Sequence, residues 1–492
     1  MSVFEHQRLR IDDFAQASDF AWLMAQELAV FTLKRQRRQW QLNVGHYIGI
    51  VMLPSGITLE ILPKPIASAQ IDNAVPADSL RQTRQWLQGM LTDLTQQFKL
   101  NNGRVPHSKH FAQLSRHGYP LSSVAVPPLS QWLVQQFLPL LCAYPPAQHY
   151  QRHVSNQSTL HGKLLIKEQL RYNGAQPHKF ISEVSTLSHE TLGNRLIKSA
   201  LLLLAPFTHN SAHNAPASPR LSANLSANLS ANLSAWRHIS SLSVQEKPHL
   251  DALYLSAKRQ LASDPLPRSH QLAANNALDL AHWLLQAQHI STASSHLGSQ
   301  ESIAPSPAPL RLCLLMNMNQ AFEQWASTQI AITFEQRTPD NQPQYQACYQ
   351  PRDAWLRDLS GQVCLSVQPD LLIYRIIEGI NNSDNSNSIN SADDPHANSN
   401  TVTATRQCSH VIDIKWKHLS HTKSISASDA YQLSAYAQAY QAEQAWLVYP
   451  VTDNERQPVA LQPLADSKGA HHATLWLMPF NVLTGKLNGD LP

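Results

Sequence analysis

The sequence has little charge, few cysteines and no long apolar run, and each shortage excludes a class of protein. Charged residues make up 15% of the 492 residues and the net charge is +4, which is compatible with an anionic partner without identifying one. The five cysteines are scattered without a C-x-x-C pair, so neither a zinc site built on cysteines nor a disulfide framework is indicated. No signal peptide opens the chain and no run approaches membrane length, so we expect a cytoplasmic protein with no membrane contact.

The hydrophobic content of 43% and the length permit two or three domains with real cores. The stretch YIGIVMLPSGITLEILPKP (47–65) predicts two strands around a turn at Pro54–Gly56. Helical periodicity covers residues 20–33 near the start of the chain. Later patterns predict three further helices, and the middle of the chain is expected to be mainly helical: 78–98, 129–143 and 194–207.

Three segments interrupt these patterns and suggest where the chain divides. LSANLSANLSANLSA (221–235) repeats a tetrapeptide and reads as part of a surface insertion at 213–235. Residues 291–309 have the composition of a linker, and residues 381–400 have no apolar periodicity, as expected of a disordered loop. The predicted organisation is an N-terminal region, a helical middle region, the linker and a C-terminal domain: 1–120, 121–290, 291–309 and 310–492.

After the linker the pattern indicates one α/β domain. A helix lies within 312–332, and a second helix is predicted at 426–440 with a Ser or Asp start. Strands are expected before, between and after these helices, so the domain should contain a mixed sheet and the whole chain should be a multidomain α+β or α/β protein. The predicted strands are 345–350, one or two within 363–377, 410–417, 445–450 and 473–480.

The strand VIDIKWK (411–417) carries charges where burial is expected. Alternation along a strand places Asp413 and Lys415 on one face and the apolar residues Ile412, Ile414 and Trp416 on the other. Charges in such a place are costly unless they are paired, hydrogen-bonded or bound to a metal. The pair is therefore either an internal ion pair or part of a site.

A second aspartate makes the site interpretation more specific. Asp370 follows Pro369 at the start of the preceding predicted strand, and neighbouring strands would bring it close to Asp413. Two carboxylates and a backbone carbonyl, here that of Ile414, form a hard oxygen site that suits Mg²⁺. Lys415 could position or deprotonate a water, or offset the charge that develops on phosphorus.

Residues on the flanking helices complete this order. Glu323 on the preceding helix could add a third carboxylate, and Tyr431 and Gln432 on the following helix could steady the water, the lysine or the phosphate. Lys417 is either a solvated lysine at a strand end or a phosphate contact. The 24 histidines show no metal-ligand spacing, including His410 and His418 beside the strand.

The order of these residues resembles that of the PD-(D/E)XK nucleases. Within them, the chain resembles the McrC family, the nuclease subunit of the McrBC 5-methylcytosine restriction system. The similarity covers most of the chain and includes an N-terminal hairpin with an L-E-I-x-P-K signature. The blocks that carry it are GIVMLPSGITLEILPKP (49–65), LHGKLLIKEQLRYN (160–173), KFISEVSTLSHETLGNRLIKSAL (179–201), MNMNQAFEQW with its core at 318–325, and VIDIKWK.

The resemblance implies a nuclease that works with a partner. Family members join a hexameric ring of McrB-like AAA+ GTPase subunits, stimulate its hydrolysis through their N-terminal part, and cut double-stranded DNA through their C-terminal domain. No Walker A pattern is present here, as expected if the nucleotide site belongs to the partner. The implied catalytic residues are Asp370, Asp413, Lys415, Glu323 and Gln432; the implied Mg²⁺ ligands are Asp370, Asp413 and Ile414; and the implied partner-binding residues are Glu60, Pro63 and Lys64.

Two other functions compete with this expectation. The chain could be an adaptor that activates the ring but has lost cutting, although the intact aspartates and lysine argue against it. It could also be a nuclease of DNA repair that uses another motor, against which the N-terminal blocks argue. The stretch 60–64 has its own structural alternative, a hairpin edge with proline as the end of the strand.

Overall fold

The computed structural model of the protein describes residues 1–26, 28, 30–36, 38–64, 77–96, 128–146, 148–206, 234–263, 266–293, 313–335, 344–378, 404–419, 425–461 and 473–490. The predicted loop 381–400 lies outside these residues, as do most of the predicted insertion 213–235 and linker 291–309. Among the helices in these ranges, none combines the length and the apolar character needed to cross a membrane. The chain forms two compact units, the first with Met1–Lys64 and Pro76–Met316 and the second with Asn317–Pro492.

The first unit combines small sheets with helices of very different lengths. Two short 3-10 helices, Ile11–Asp13 and Lys247–His249, accompany the regular elements. In chain order these are β1 (Ser2–Phe4), β2 (Arg8–Leu9), α1 (Ala17–Ala25), β3 (Phe31–Gln36), β4 (Gln39–Val44), β5 (Tyr47–Met52), β6 (Thr58–Leu62), α2 (Ala77–Gln96), α3 (Leu129–Ala143), β7 (His149–Gln157), β8 (Lys163–Leu164), α4 (Ile166–Tyr172), β9 (Phe180–Ser188), α5 (Leu192–Leu204), α6 (Leu250–Ser263), α7 (Arg268–Ala293) and β10 (Cys313–Asn317).

The predicted N-terminal hairpin is confirmed as β5 and β6, which lie at the centre of a four-stranded sheet. The strand order is β1-β6-β5-β10, with β1 parallel to β6 and β5 antiparallel to it. Gly49 on β5 has a φ of 140°, and a Cβ there would lie 1.8 Å from the carbonyl oxygen of Leu314. Only glycine therefore permits the close approach of β10. A second sheet, β2-β4-β3, packs its apolar residues into the same core.

The helices of the first unit match the prediction in some places and depart from it in others. Helix α3 has the predicted bounds, and α2 and α5 occupy most of their predicted ranges. The predicted helix over 20–33 is wrong at its end, because α1 stops at Ala25 and Phe31 begins a strand that pairs with β4. The middle region is less helical than expected, since β7, β9 and β8 form an antiparallel sheet. Their sequences are too polar to show a clear period of two.

The second unit contains the mixed sheet that the sequence predicts. The elements are α8 (Met318–Glu335), β11 (Gln344–Tyr349), β12 (Asp353–Arg357), β13 (Val363–Val367), β14 (Leu371–Glu378), β15 (Ala404–Ile414), α9 (Ala427–Tyr440), β16 (Gln444–Val451), β17 (Val459–Leu461), β18 (Thr474–Asn481) and β19 (Lys486–Leu487). The main sheet has the order β11-β14-β15-β16-β18-β17, in which β14 and β15 are antiparallel while β15, β16 and β18 are parallel. The segment 363–377 is two strands, and the first of them, β13, pairs with β12 in a separate ribbon.

Helices α8 and α9 pack on opposite faces of this sheet. On one face, Leu433 of α9 shares a buried cluster with Leu447 of β16. On the other face, Phe334 of α8 lies against Trp446, with ring centroids 5.6 Å apart. Because Asp413 is paired in register with Leu447, alternation places its side chain on the α9 face.

Candidate active site

The two predicted aspartates are brought together by neighbouring strands. Strands β14 and β15 pair with Leu371 opposite Ile412, so Asp370, directly before β14, falls beside Asp413 near the end of β15. The backbone N–H of Ile414 donates a hydrogen bond to Asp370 Oδ2 at 2.6 Å. This bond fixes the Asp370 carboxylate against the strand that carries Asp413.

Lys415 forms the ion pair that the sequence allowed. Strand β15 ends at Ile414, three residues before the predicted end, yet the Lys415 N–H still donates to the Val448 carbonyl at 2.9 Å. Lys415 Nζ lies 3.0 Å from Asp413 Oδ1 and 2.9 Å from Oδ2. The side chain of Asp413 is 1% exposed and that of Lys415 27% exposed, so the pair joins the interior to a solvent-accessible edge.

The charges of this cluster are poorly balanced. Burial, then the carboxylates of Glu323 and Asp413, raise the pKa of Asp370 to about 8. Burial also raises the pKa of Asp413, although Lys415 opposes the shift. Burial disfavours the Lys415 ammonium, but Asp413 and Asp370 outweigh it and raise the lysine pKa. The single positive charge of Lys415 does not neutralise the carboxyl groups of Asp370, Asp413 and Glu323, so the cluster favours the binding of an additional proton or cation.

Gln350 connects the third carboxylate to this pair, and sequence reasoning missed it. Its side-chain amide donates to Glu323 Oε1 at 2.5 Å, and its backbone N–H donates to the carbonyl of Asp370 at 3.0 Å. Its φ of 44° lies in the left-handed region, where a residue other than glycine is uncommon and is held by its surroundings. The pairing of Tyr349 with Leu371 places Gln350 beside Asp370, but that register is not visible in the sequence.

The following helix contributes a different tyrosine from the one predicted. The amide of Gln432 donates to the hydroxyl of Tyr436 at 2.6 Å, whereas Tyr431 is 76% exposed. Burial raises the pKa of Tyr436, and the nearby charges of Asp413 and Lys415 act on it as well. Tyr436 follows Gln432 by one helical turn, so helical spacing was a usable signal for it.

Lys417 is paired with an aspartate of α9. Its Nζ lies 2.9 Å and 2.8 Å from the two carboxylate oxygens of Asp429, with 51% of the lysine side chain exposed. Ser426 caps the helix by accepting a hydrogen bond from the Asp429 N–H at 3.1 Å, which confirms the predicted serine start. Lys417 is therefore a half-exposed lysine that pairs with a buried carboxylate, and its contact with a phosphate stays a prediction.

The oxygen donors around Asp370 fit a hard divalent cation. Asp370 and Asp413 supply carboxylates, and the Ile414 carbonyl belongs to the same strand end. Asp413 Oδ2 is buried and, within the described part of the chain, accepts no hydrogen bond, although Lys415 Nζ lies at ion-pair distance. Buried carboxylate oxygens of this kind are suitable ligands for Mg²⁺, which binds through one or two carboxylates and keeps several waters.

The residues predicted to bind a partner lie in the first unit, and Glu60 is engaged inside it. The Glu60 side chain is 3% exposed and pairs with Arg84 Nη2 at 2.5 Å. It also accepts hydrogen bonds from the Ser2 hydroxyl at 2.8 Å and the Leu129 N–H at 2.9 Å. Glu60 thus joins β6 to β1, α2 and α3, and its role toward a partner stays a prediction.

The remaining two residues of the signature follow β6. Pro63 is buried, and Lys64 is half-buried. The Lys64 N–H donates to Glu5 Oε2 at 3.1 Å, and burial lowers the pKa of the Lys64 side chain while Glu5 opposes this. Neither feature identifies a partner surface by itself.

Fold and site together define a protein of two compact units, the second of which has an acidic cluster and a lysine at the strand ends of a mixed sheet. The model of a protein family described as McrBC 5-methylcytosine restriction system component matches residues 42–240 and 390–450, together more than half of the chain. The chain therefore belongs to this family, and the resemblance inferred from the sequence is confirmed. No curated protein matches the sequence.

Two solved structures are similar to this chain. A refined half-complex of Thermococcus gammatolerans McrB AAA+ hexamers with bound McrC aligns over 100% of this chain and 96% of its own, at 14% identity and a TM-score of 0.55. A second structure, of the Thermococcus gammatolerans McrBC complex, aligns over 66% of this chain and 84% of its own, at 15% identity and a TM-score of 0.34. At these identities the first match shows a shared fold.

Proposed function

We propose that this protein is the DNA endonuclease subunit of a modification-dependent restriction system and cuts DNA by Mg²⁺-dependent phosphodiester hydrolysis. The observation that carries the proposal is the juxtaposition of Asp370, Asp413 and Lys415 at the ends of two paired strands. Membership in the McrBC family supports the restriction-system role. Within this proposal, residues 310–492 contain the nuclease domain of PD-(D/E)XK type.

Asp370 and Asp413, with the carbonyl of Ile414, would hold Mg²⁺. When bound, this ion supplies positive charge at the scissile phosphate and makes a water molecule more acidic. Asp413 and Asp370 raise the pKa of Lys415 in this structure, and a protonated lysine here would offset the negative charge that builds on phosphorus. Asp413 keeps the lysine in place through the ion pair.

Neighbouring residues position this machinery. The side chain of Gln350 donates to the Glu323 carboxylate, and the backbone N–H of Gln350 donates to the backbone carbonyl of Asp370. Gln350 therefore fixes Glu323 relative to Asp370. Gln432 and Tyr436 form a hydrogen-bonded pair on α9, the helix that packs on the face where Asp413 points. These contacts reduce the freedom of the site before substrate binds, which is how positioned groups contribute to rate.

The proposed partner is an AAA+ GTPase ring of the McrB type. Support comes from the family match and from the shared fold with a chain of an assembly of McrB hexamers with bound McrC. The resemblance implies a contact through Glu60, Pro63 and Lys64, but most side chains of β5 and β6 are buried. Exposed apolar side chains elsewhere in the first unit are better placed for a direct contact.

The sheet of β7, β8 and β9 with α4 carries such side chains. Tyr150 and Leu187 are opposite each other in the β7–β9 register and are 76% and 51% exposed, and Val154 on the same face as Tyr150 is 60% exposed. Ile166 and Leu170, one turn apart on α4, are 65% and 74% exposed. Groups of exposed apolar residues are typical of interaction surfaces, and we assign this surface to the ring.

The deciding experiment combines cleavage and hydrolysis in one reconstituted system. With the AAA+ partner, modified DNA, GTP and Mg²⁺, the wild type should cleave the DNA and should stimulate GTP hydrolysis by the partner. Asp413→Ala should abolish cutting and leave stimulation intact, because Asp413 belongs to the second unit. Asp353→Asn, which alters an exposed carboxylate of the same unit, is the matched control and should cut normally.

Two outcomes would contradict the proposal. Cutting by a folded Asp413→Ala protein would refute the metal-site assignment. Stimulation without any cutting by the wild type on modified DNA would instead identify the chain as an adaptor. The surface assignment is tested separately, since Tyr150→Ser with Leu187→Ser should lower the affinity for the ring without changing the fold of the free protein.

A further inference from the structure

A cluster of two histidines and a glutamate lies in the first unit and contains none of the residues used above for catalysis. Glu5 and His6 form the turn between β1 and β2, and His46 lies in the turn between β4 and β5. One ligand atom of each residue lies within 4.8 Å of the other two, an arrangement that no other trio of His, Cys, Asp or Glu shares in the described part of the chain. The two imidazole rings meet edge to face with centroids 4.5 Å apart.

The backbone holds the two turns against each other. The His6 N–H donates to the carbonyl of Val44 at 3.0 Å, which ties the β1–β2 turn to the end of β4 and thereby to the turn that carries His46. His6 has a φ of 65°, in the left-handed region. A histidine in that conformation persists only where surrounding contacts support it, and such positions are frequent at functional sites.

The glutamate is oriented by a contact of its own. Its residue is 1% exposed, and Oε2 accepts a hydrogen bond from the Lys64 N–H at 3.1 Å. Fixing one oxygen of a carboxylate in this way is typical of the groups that support metal ligands. Both histidines are exposed, so the cluster has a buried carboxylate at its base and two imidazoles at its rim.

The donor set selects the class of ion. Two imidazole nitrogens and one carboxylate oxygen suit Zn²⁺ and similar first-row transition metals, whereas Mg²⁺ and Ca²⁺ prefer oxygen donors alone. We propose that Glu5, His6 and His46 bind a divalent transition-metal ion of the Zn²⁺ type, which clamps the β1–β2 turn to the β4–β5 turn. Three protein ligands leave a fourth position for water or for a side chain of a partner.

This site is independent of the proposed nuclease centre, and its test does not depend on cleavage. The full-length protein, freed of metal by chelation, is titrated with Zn²⁺ against a chromogenic competitor and with Co²⁺ in the visible range. The wild type should bind one ion at this site and give the intense Co²⁺ absorption of four- or five-coordinate geometry. Zn²⁺ should also raise the melting temperature measurably.

The variants are chosen to keep the fold. His6→Asn suits the left-handed backbone, because asparagine adopts it more readily than most residues. His6→Asn and His46→Gln should each weaken Zn²⁺ binding by at least about tenfold, as expected for loss of one ligand of three. His178→Gln, which alters an exposed histidine of the same unit, should bind as the wild type does.

Three results would overturn the proposal. Equal Zn²⁺ affinity in the wild type, His6→Asn and His46→Gln would place the bound ion elsewhere. A weak, octahedral Co²⁺ spectrum from the wild type would show binding without this donor set. Absence of any Zn²⁺ binding by the folded wild type would leave the cluster as a contact between two turns.

Discussion

Lys415→Ala distinguishes a catalytic lysine from one that only balances a buried charge. Lys415 Nζ lies 3.0 Å from Asp413 Oδ1, and Asp413 is 1% exposed, so removal of the ammonium leaves a buried carboxylate without its counterion. Breaking a buried pair in this way costs about 3–5 kcal/mol. Because the lysine is 27% exposed, solvent screens part of the interaction. We therefore expect Lys415→Ala to lower the free energy of unfolding by about 2–3 kcal/mol in the absence of metal.

Mg²⁺ should change this result if the site is the proposed one. For a unit of this size, a loss of about 2–3 kcal/mol corresponds to a fall of about 4–12 °C in the melting temperature. A cation held by Asp370 and Asp413 replaces the missing positive charge, so most of that fall should be recovered in Mg²⁺ but not in EDTA. Cleavage should stay low in Mg²⁺, since charge-stabilising groups contribute about 10²–10⁴ in rate.

The assay is a pair of measurements on one preparation, calorimetric melting in EDTA and in Mg²⁺ and single-turnover cleavage with the partner. Lys417→Ala is the control. It also removes one lysine charge, two residues further along the chain, but the lysine that it removes is half exposed and pairs with Asp429. Asp429 is 8% exposed, so Lys417→Ala should also lower stability, but by less than Lys415→Ala because half of the Lys417 side chain is exposed, and the loss should be independent of Mg²⁺. Equal melting losses for Lys415→Ala in EDTA and Mg²⁺, with cleavage reduced only by the unfolded fraction, would refute the catalytic assignment.

Two further predictions concern Asp370 and Glu60. Because the pKa of Asp370 is about 8, Mg²⁺ must displace a proton from this carboxyl when it binds at pH 6. The apparent Kd for Mg²⁺ should therefore fall about tenfold per pH unit between about pH 6 and 8. Calorimetry should detect the released proton for the wild type but not for Asp370→Asn. In EDTA the free energy of unfolding should fall as the pH rises from about 4 toward 8, because the Asp370 carboxyl ionises at lower pH in the unfolded chain than in the folded one. A free energy of unfolding that does not change over this pH range would contradict the assignment. Glu60→Ala removes a buried carboxylate from the partly buried Arg84, whose side chain is 15% exposed. The variant should lower the free energy of unfolding in urea by about 3–5 kcal/mol, whereas a loss below about 1 kcal/mol would mark the pair as a weak surface contact.

Local patterns were sufficient to predict those parts of the fold that depend on local sequence. The α3 helix and the β5–β6 hairpin follow from the spacing of apolar residues and from the turn at Pro54–Gly56. The order of Asp370, Asp413 and Lys415 was visible because each residue adjoins a strongly apolar strand. The β7–β9 pair was not predicted, since HYQRHVSNQ offers few apolar residues to reveal a period.

The parts that escaped prediction depend on pairing between distant segments. Gln350 contacts Glu323 and Asp370 only because β11 pairs with β14, and the sequence near residue 350 does not predict that register. The cluster of Glu5, His6 and His46 likewise depends on two turns meeting. A sequence pattern identifies residues that share an element, whereas these sites combine residues from different elements.

The register of β14 and β15 leads to the last prediction. The strands are joined by residues 379–403, which lie outside the described part of the chain, yet pairs from Leu371↔Ile412 to Glu378↔Ala404 fix the position of Asp370 beside Asp413. The site geometry should therefore not depend on the length of the connection. Residues 383–398 contain no large apolar side chain besides Ile389, so they have little to bury.

Deleting 383–398 leaves residues 379–382 and 399–403 to join the two antiparallel strands, which is more than the roughly 2–5 residues that a β-hairpin loop needs. A shorter loop loses less entropy on closure, and the change is small because that loss varies slowly with length. The deleted protein should keep its circular dichroism spectrum and protease resistance and should cut DNA at close to the wild-type rate. A folded but inactive protein would show that the segment contributes to catalysis or DNA binding, and an unfolded one would show that the paired strands alone do not fix the register.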